Sequence, residues 1–330
     1  MARYWQYSRG EREPPELMQL VRDVNVADGT VTVASRERGV IKLNHFENDR
    51  VLMEQFARDA ALLDVVEAFT GPDVMTINTM VVVKPPGLAE STRHPLHQDL
   101  LYFPNRPTDR IVCAWCAIGA VDRENGCLAV LPGSHRAGTL HRHGYPRGKG
   151  WSDEGVKNNV GYWGILDEGV WGDPGLVHLA MGPGDVVFFH PLLVHGSGVN
   201  RSRDFRKAVS VHYSATRCDY IDVARLSPGT SYVQEQIEIG ARLATKNSNP
   251  ELDGGPGTVG EVVDGAFVVD ETRSRAEQRR RRAAYAREVI DTYKATLATD
   301  PEALDRATQL YNMYWRYKSR LVRGSMPAAQ

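Results

Sequence analysis

The sequence predicts a mainly β protein, an antiparallel sandwich or barrel with helices at its flanks. From Val74 to Tyr213 the chain consists of short apolar and β-branched runs separated by turn pairs such as Asn125-Gly126. Strands at this spacing, with no helix between them, are typical of antiparallel folds and not of βαβ units. There is also no glycine-rich loop of the Rossmann or Walker type.

The order of elements follows from hydrophobic periodicity and turn residues. Before the β-rich stretch we predict strands over 29–34 and 38–43 and a helix over 47–70, because apolar residues recur there at helical spacing. The core strands are expected at 74–83, 97–103, 110–118, 127–131, 176–181, 185–189 and 205–213.

The rest of the chain is predicted to flank this core as one domain, 1–330. Its parts are an N-terminal segment 1–73, a β core of about 74–216 and a helical extension 217–330, with helices over 271–296 and 302–322 and a loop over 247–260. Residues 136–175 are expected to form a lid loop over one mouth of the core. Its aromatic and basic residues are Trp151, Tyr162, Trp163, Trp171, Arg142, His143, Arg147 and Lys149.

Composition excludes several classes of function. The chain has 330 residues, 42% hydrophobic and 25% charged, and a formal net charge of -1, so no global field favours nucleic acid or membrane. The basic run Arg279–Arg282 is local and is interpreted as a solvated helix face.

Because no apolar signal segment is evident, we expect a cytoplasmic protein. The oligomeric state is not predicted.

The four cysteines are expected to be free thiols in a reducing compartment. Cys113 and Cys116 form a C-x-x-C pattern, but they lie in an apolar run that is predicted to be a buried strand. A separation of three residues places their sulfurs on opposite faces of a strand. Buried packing is therefore favoured over a zinc or redox role.

One pair of side chains, His97 and Asp99, is a candidate metal site. Both lie in the predicted strand 97–103, and residues two apart on a strand share a face, with Gln98 turned the other way. An imidazole and a carboxylate on one face suit a divalent metal such as iron. On its own the pair is a weak signal and needs a third ligand.

His195 is the predicted third ligand. It follows an apolar strand that begins after a Gly-Pro-Gly-Asp turn, and small residues come directly after it, which lets the backbone approach a ligand closely. With His97 and Asp99 it completes a two-histidine, one-carboxylate set with open positions, as in non-haem Fe(II) oxygenases. The competitor is His190, whose position before Pro191 favours a structural role.

Arg206 is the predicted anchor for a co-substrate. Open positions on Fe(II) call for a chelating 2-oxo acid, and a planar guanidinium meets the distal carboxylate of such an acid with two parallel hydrogen bonds. Arg206 begins a strand whose same-face neighbours, Ala208 and Ser210, are small enough to leave room for a ligand.

Three stretches resemble the phytanoyl-CoA dioxygenase family of Fe(II)/2-oxoglutarate oxygenases, and within it most nearly the acyl-CoA 2-hydroxylases. They are RHPLHQDLLYFPNRPTDRIVCAW, ENGCLAVLPGSH and GDVVFFHPLLVHGSGVNRSRDFRKA. The resemblance runs from about residue 39 to 220 and returns at 315–324. It implies a double-stranded β-helix, the cupin-like jelly roll, in agreement with the predicted strands.

The resemblance also implies roles for individual residues and a set of cofactors. The cofactors are Fe(II) and the co-substrates 2-oxoglutarate and O2. Residues beyond the iron ligands and the arginine anchor are expected to contact the co-substrate. These are Ser197, Trp115, Gln98, Met80 and, on a short alignment, Lys42.

The expected reaction is hydroxylation of an unactivated C–H bond in a small-molecule or acyl-thioester substrate, with release of succinate and CO2. The carboxylate of Asp99 favours hydroxylation, desaturation or cyclisation over halogenation, because halogenating relatives lack it. The alternatives are an acyl-CoA 2-hydroxylase proper, a desaturase or cyclase of a secondary metabolite, a zinc-type hydrolase, and a non-catalytic metal-binding jelly roll. The longer stretch 221–312 and the lid leave the substrate open.

Overall fold

Two β-sheets form the body of the protein. The computed structural model describes residues 1–15, 18–27, 29–144, 162, 164–170, 175–220, 260–263, 266–269 and 319–324. The strands, in chain order, are β1 (Gln19–Arg22), β2 (Val40–Asn44), β3 (Val74–Lys84), β4 (His94–His97), β5 (Asn105–Arg106), β6 (Ile111–Ala117), β7 (Leu128–Val130), β8 (His143–Gly144), β9 (Gly164–Ile165), β10 (Val177–His178), β11 (Val186–Phe189), β12 (His195–Ser197), β13 (Arg206–Ala215), β14 (Asp219–Tyr220), β15 (Gly260–Val263), β16 (Ala266–Val269) and β17 (Arg320–Arg323).

The two larger sheets face each other as a jelly roll. The major sheet has the order β1-β2-β3-β13-β6-β11, with β17 added to β3, and the minor sheet has the order β10-β7-β12-β4. The pairings within both sheets are antiparallel. Side chains from both sheets, among them Trp115, Leu128 and Phe189, form one buried cluster between them. The predicted mainly β, double-stranded β-helix fold is confirmed.

Helices cover the outer face of the major sheet. The α-helices are α1 (Ala2–Arg9), α2 (Val24–Ala27), α3 (Arg50–Leu52) and α4 (Ala60–Thr70), and Met53–Ala57 is a π-helix. Tyr4 and Tyr7 from α1 and Leu63 and Val66 from α4 join the largest buried cluster with residues of β3 and β13. Short 3-10 turns lie at Arg36–Gly39, Phe46–Asn48, Ala89–Thr92, Asp99–Tyr102, Thr108–Arg110, Ser134–Ala137 and Glu168–Val170.

The predicted helix over 47–70 is broken into pieces by two aspartates. The Asp49 carboxylate accepts hydrogen bonds from the amides of Val51 and Leu52, and the Asp59 carboxylate accepts one from Leu62. Each therefore begins a new helix as an N-cap. The periodicity correctly predicted helical structure in this region, but the capping aspartates divide it into separate helices.

Two predicted strands are wrong in their bounds. Residues 29–34 form no strand; instead Val31 donates to the carbonyl of Asn25 and the chain turns there, while the preceding strand β1 was not predicted. The strand predicted over 97–103 ends at His97. From Asp99 the backbone is a 3-10 turn, and the amide of Leu100 donates to the carbonyl of Pro191 at 2.9 Å instead of to a neighbouring strand.

Near the C-terminus, the predicted helix 302–322 is wrong at its end, because Arg320–Arg323 is a strand beside the beginning of β3. Arg323 secures it by donating to Asp64 at 2.7 Å and to Glu67 at 2.6 Å, both on α4. The remainder of that helix, the helix 271–296, the loop 247–259 and most of the lid lie outside the described residues, as do Arg147, Lys149, Trp151, Trp163 and Trp171.

The division into a core 74–216 and a helical extension stays a prediction. The described parts of 217–330 are the strands β14, β15, β16 and β17 and the residues beside them. Among the residues that the structure describes, no helix combines the length and hydrophobicity needed to cross a bilayer.

Candidate active site

Two histidines face each other across the minor sheet. His97 on β4 pairs directly with His195 on β12, and their ring centroids are 4.2 Å apart. Both are buried, with 2% and 4% exposure. His97 Nδ1 donates to the carbonyl of Pro95 at 2.8 Å and His195 Nδ1 to that of Leu193 at 2.9 Å. Since the proton is on Nδ1, the lone pair of each Nε2 is free for a metal.

Asp99 joins these two rings from the 3-10 turn that follows β4. Its Oδ1 is 3.2 Å from His97 Nε2 and its Oδ2 is 3.6 Å from His195 Nε2. One potential ligand atom of each residue lies within 4.8 Å of the others. The prediction that strand alternation brings Asp99 beside His97 was wrong in its mechanism, because the turn after β4 places it there; the three side chains nevertheless converge.

The charges of this group suit a cation. Burial lowers the pKa of His195 to about 4, so its imidazole is neutral near pH 7. Burial alone would raise the pKa of Asp99, but the neighbouring His195 and His212 and the hydrogen bond donated by His212 outweigh it and hold that pKa well below its usual range. Histidine binds a divalent metal as the neutral imidazole and aspartate as the ionised carboxylate, so the states of His195 and Asp99 suit a metal.

Gly196 allows β4 and β12 to approach closely enough for this pairing. A Cβ at position 196 would lie 2.8 Å from the carbonyl oxygen of His94 and 2.9 Å from that of Pro95. These are backbone atoms of the strand that carries His97, so relief requires the two strands to separate.

We expect Gly196→Ala to lower the free energy of unfolding by about 1–3 kcal/mol, the usual effect of overpacking, and to weaken metal binding because His97 and His195 move apart. Urea denaturation and Mn(II) titration measure the two effects. Gly198→Ala is the matched control, because a Cβ there meets its nearest neighbour, Gly126 Cα, only at 4.0 Å. Equal behaviour of the two variants would contradict the role given to Gly196.

A cavity of about 70 Å³ lies between the sheets with the His97–Asp99–His195 group on its wall. The predicted site residues Lys42, Met80, Trp115, Ser197 and Arg206 all line it. The other lining residues are Ile41, Val82, Val83, Lys84, Thr92, His94, Leu128, Tyr162, Phe189, Ser210 and His212.

Arg206 lies on the major-sheet side of this cavity. It is 2% exposed, and in the part of the chain that the structure describes its buried Nε and Nη1 have no hydrogen-bond partner. Its guanidinium carbon is 5.6 Å from the centre of the Trp115 ring, a cation–π contact that orients the guanidinium plane. Burial lowers its pKa to about 10, which leaves it charged near pH 7. Buried, unpaired N–H groups on a cation indicate a place for an anion.

Two lysines add positive charge to the cavity. Burial lowers the pKa of Lys42 to about 8, and its Nζ is 5.2 Å from the ring centre of Tyr162. Lys84 pairs with Arg206 in the register of β3 and β13 and donates to the carbonyls of Thr92, at 2.6 Å, and of Gly198. Burial holds the pKa of Lys84 well below its usual value. A dianionic ligand would balance the charges of Arg206 and Lys42 near pH 7.

Gln98 does not lie where it was predicted. It is fully buried outside the cavity lining, and its amide is engaged by backbone groups. Its Nε2 donates to the carbonyls of Thr139 and Leu192, each at 2.8 Å, and its Oε1 accepts from the amide of His141 at 2.8 Å. Its backbone N–H donates to His143. Its contacts are those of a support for the turn between the ligands, not of a co-substrate residue.

Sequence reasoning missed the basic residues Lys84, His94 and His212 of the cavity wall, of which Lys84 and His212 are buried and His94 is half-buried. Strand alternation could have found two of them. Lys84 follows Met80 by four residues on β3, and His212 follows Arg206 by six on β13, so each shares the inward face. His94 stacks on His97, with ring centroids 4.0 Å apart; it lies at an odd separation from His97, so alternation gives no hint of it.

His190, the alternative third ligand, and the two cysteines of the C-x-x-C pattern have the contacts of structural residues. His190 Nε2 is 3.1 Å from Asp109 Oδ1 in a separate cavity. Cys113 is buried beside Ser210, whereas Cys116 is half-buried on the opposite face, and all four cysteines are free. The expectation that the C-x-x-C pattern reflects packing is confirmed.

The residues present fit Fe(II) together with a 2-oxo acid. The His97–Asp99–His195 donor set is the one expected of non-haem Fe(II) oxygenases, and the unpaired N–H groups of Arg206 lie on the same cavity, ready for the distal carboxylate of a chelating acid.

Comparison with known proteins identifies relatives of this chain. The sequence profile of the family described as Phytanoyl-CoA dioxygenase (PhyH) matches residues 16–208. The peroxisomal phytanoyl-CoA dioxygenase of Homo sapiens is 46% identical over 222 residues, 67% of this chain and 60% of that protein. That of Rattus norvegicus is 45% identical over 239 residues, 72% of this chain and 67% of that protein.

The match does not extend over the whole of these relatives: the chain covers 60% of the human and bovine proteins. Among solved structures, EctD from S. alaskensis with 2-oxoglutarate and 5-hydroxyectoine aligns over 67% of this chain and 78% of that one, at 20% identity and a TM-score of 0.43, which is too low to bear on function. The profile match, which spans more than half of the sequence, and the identity to the mammalian proteins show that the chain belongs to the phytanoyl-CoA dioxygenase family.

Proposed function

We propose that this protein is an Fe(II)- and 2-oxoglutarate-dependent dioxygenase that hydroxylates an unactivated C–H bond of a small-molecule or acyl substrate. One observation carries the proposal: His97, Asp99 and His195 lie on the same small cavity as Arg206, whose buried N–H groups have no partner. A zinc-type hydrolase or a metal-binding jelly roll without catalysis would need the three ligands but not a buried anion anchor.

In this proposal each residue has a stated task. His97, Asp99 and His195 hold iron, which when bound with 2-oxoglutarate and O2 supplies the oxidative chemistry that yields succinate, CO2 and the hydroxylated product. Arg206 binds the distal carboxylate of 2-oxoglutarate by its planar fork.

The walls of the cavity complete the co-substrate pocket. Ser197, 8% exposed, offers a hydroxyl to the cavity that Arg206 lines, and Met80 and Trp115 exclude water from the bound 2-oxoglutarate. Lys42 contributes a second cation.

The proposal is tested by anaerobic calorimetry of 2-oxoglutarate binding to the Fe(II)-loaded protein, followed by mass spectrometry of candidate substrates incubated with 18O2. We expect tight 2-oxoglutarate binding that needs both metal and Arg206, and one 18O atom in the product with equimolar succinate. Absence of 2-oxoglutarate binding to the metal-loaded protein would overturn the oxygenase assignment.

The substrate class that the relatives favour is an acyl-CoA thioester. The proteins that are 45–46% identical to this chain are named phytanoyl-CoA dioxygenases, and so is a 40% identical protein of Caenorhabditis elegans, as a probable one. An acyl-CoA 2-hydroxylase is therefore the first activity to assay. The mammalian relatives are named as peroxisomal, and a cytoplasmic location for this chain stays a prediction.

Binding of 2-oxoglutarate should weaken as the pH rises through the pKa of Lys42, about 8. Below that pH the ammonium attracts the dianion; above it the amine is neutral, so the dissociation constant should rise by up to about tenfold between about pH 7 and about pH 9. Calorimetry at several pH values measures the profile. In Lys42→Arg the guanidinium stays charged, so the profile should flatten. The same rise in both proteins would show that another group titrates.

A further inference from the structure

His212 is a buried side chain in contact with Asp99 and is not one of the three candidate ligands. It lies on β13, six residues after Arg206 on the same face, and is 2% exposed. Its Nε2 is 2.8 Å from Asp99 Oδ2, and its ring packs against Phe103 with centroids 4.8 Å apart. The imidazole is therefore held between the strand and the carboxylate.

The direction of this hydrogen bond follows from its partners. An ionised carboxylate only accepts, so Nε2 of His212 carries the proton and donates it to Oδ2. His212 Nδ1 has no hydrogen-bond partner. His212 Nε2 is therefore engaged by Asp99, and this contact with the carboxylate fixes the position of the ring.

This contact distinguishes the two oxygens of Asp99. Oδ2 accepts from His212, whereas Oδ1 faces His97 Nε2 at 3.2 Å. Carboxylates bind metals through one oxygen or through both. A donor fixed on Oδ2 takes one of the two lone pairs of that oxygen and draws its negative charge, which makes Oδ2 a weaker metal ligand than Oδ1, and it also restrains rotation of the carboxylate.

We propose that His212 is a positioning residue that keeps Asp99 a ligand through one oxygen only. The proposal rests on the proposed function, because there 2-oxoglutarate and O2 need the three positions that a two-histidine, one-carboxylate set leaves open. If both oxygens of Asp99 bound the metal, one of those positions would be filled. Outer residues that orient a ligand in this way commonly affect metal sites by about 10–100-fold.

A second metal site at His212 is a weaker account of the same residues. Asp99, Cys113 and His212 also place potential ligand atoms within 4.8 Å of one another. However, the 2.8 Å between Nε2 and Oδ2 is a hydrogen-bond distance with no space for an ion between them. Burial also raises the pKa of Cys113 well above its usual value, and its Sγ is 3.3 Å from Ser210 Oγ, so the thiol is protonated.

The test compares His212→Leu, which lacks a donor, with His212→Gln, whose amide nitrogen reaches the same place. Nitric oxide serves as a probe of the O2 position, and its binding to protein saturated with Fe(II) and 2-oxoglutarate is followed by electron paramagnetic resonance. Tyr213→Phe is the control: Tyr213 is the next residue on β13, is also buried, and donates to the carbonyl of Ala57.

We expect the leucine variant to bind nitric oxide at least about tenfold more weakly, with the glutamine and Tyr213 variants within about threefold of the wild type. A merely structural role would lower metal affinity but would leave nitric oxide binding unchanged once metal and 2-oxoglutarate are saturating. Wild-type nitric oxide affinity in His212→Leu overturns the proposal, and so does failure of His212→Gln to restore it.

Misfolding of the leucine variant and failure of the proposed function itself can both be told apart from these results. If the leucine variant does not fold, His212→Asn takes its place, since its shorter amide falls short of Oδ2. If the wild-type protein itself binds no 2-oxoglutarate in the presence of Fe(II), the proposed function fails, and the role of His212 fails with it.

Discussion

Replacing Arg206 with alanine should weaken 2-oxoglutarate binding by about 30- to 3,000-fold. Removing one partner of a buried charged pair costs about 2–5 kcal/mol, and about 1.4 kcal/mol corresponds to a tenfold change in affinity. Arg206 meets the condition for the large effect, because it is 2% exposed and its Nε and Nη1 have no hydrogen-bond partner among the described residues. Calorimetry with the Fe(II)-loaded variant measures the change.

Arg206→Ala should affect the stability of the ligand-free protein in the opposite direction: affinity for 2-oxoglutarate falls, but the unfolding temperature does not. A buried cation without hydrogen-bond partners destabilises the fold, so the Arg206→Ala protein without ligand should unfold at the same temperature as the wild type or higher. Addition of 2-oxoglutarate to the metal-loaded proteins should raise the unfolding temperature of the wild type more than that of the variant. A variant that is destabilised without ligand, yet binds 2-oxoglutarate normally, would make Arg206 a structural residue.

Arg206→Lys separates charge from geometry. Lysine keeps the positive charge but lacks the planar fork that meets both oxygens of a carboxylate. Its stem also loses the guanidinium contact over Trp115, which is 5.6 Å in the native protein. We therefore expect an affinity between those of the wild type and the alanine variant. Full activity in the lysine variant would show that a point charge is sufficient.

Strand alternation accounts for what the sequence predicted well. It placed Arg206, Ala208 and Ser210 on one face of β13, and all three are buried there, with Arg206 and Ser210 lining the cavity. The same rule extends to His212 and, on β3, to Lys84. These residues were missed because a lone basic residue in an apolar run carries no signal until the opposite wall of the cavity is known.

Local rules failed where long-range contacts set the backbone. Asp99 leaves the strand because the amide of Leu100 bonds to Pro191, more than 90 residues away in sequence. Gln98 is turned away from the two ligands, as alternation predicted, but it is buried, and its amide binds the carbonyls of Thr139 and Leu192 instead of the co-substrate contact that the family resemblance implied. Neither partner can be identified from the residues around position 98. The histidine and the aspartate were nevertheless right as a pair, since a turn can also bring residues 97 and 99 together.

His195→Ala should lower Fe(II) affinity by more than about 100-fold, beyond the range seen when only an outer supporting residue is lost, and should abolish 2-oxoglutarate turnover. The Nε2 of His195 is free because Nδ1 bonds to the carbonyl of Leu193, and burial lowers its pKa to about 4, so it is a metal-binding imidazole near pH 7. Fe(II) titration under anaerobic conditions and succinate formation measure the two losses.

His190→Ala is the matched control, five residues earlier in the same segment. Its Nε2 donates to Asp109, its Nδ1 accepts from the amide of Leu192, and its side chain lines a different cavity. The loss of these hydrogen bonds should cost about 1 kcal/mol of stability and leave Fe(II) affinity unchanged. If His190→Ala lost the metal and His195→Ala kept it, the ligand set would be wrong. Partial recovery of metal binding by added imidazole in His195→Ala alone would show that the missing group is a metal ligand, since a structural side chain is not replaced by a free imidazole.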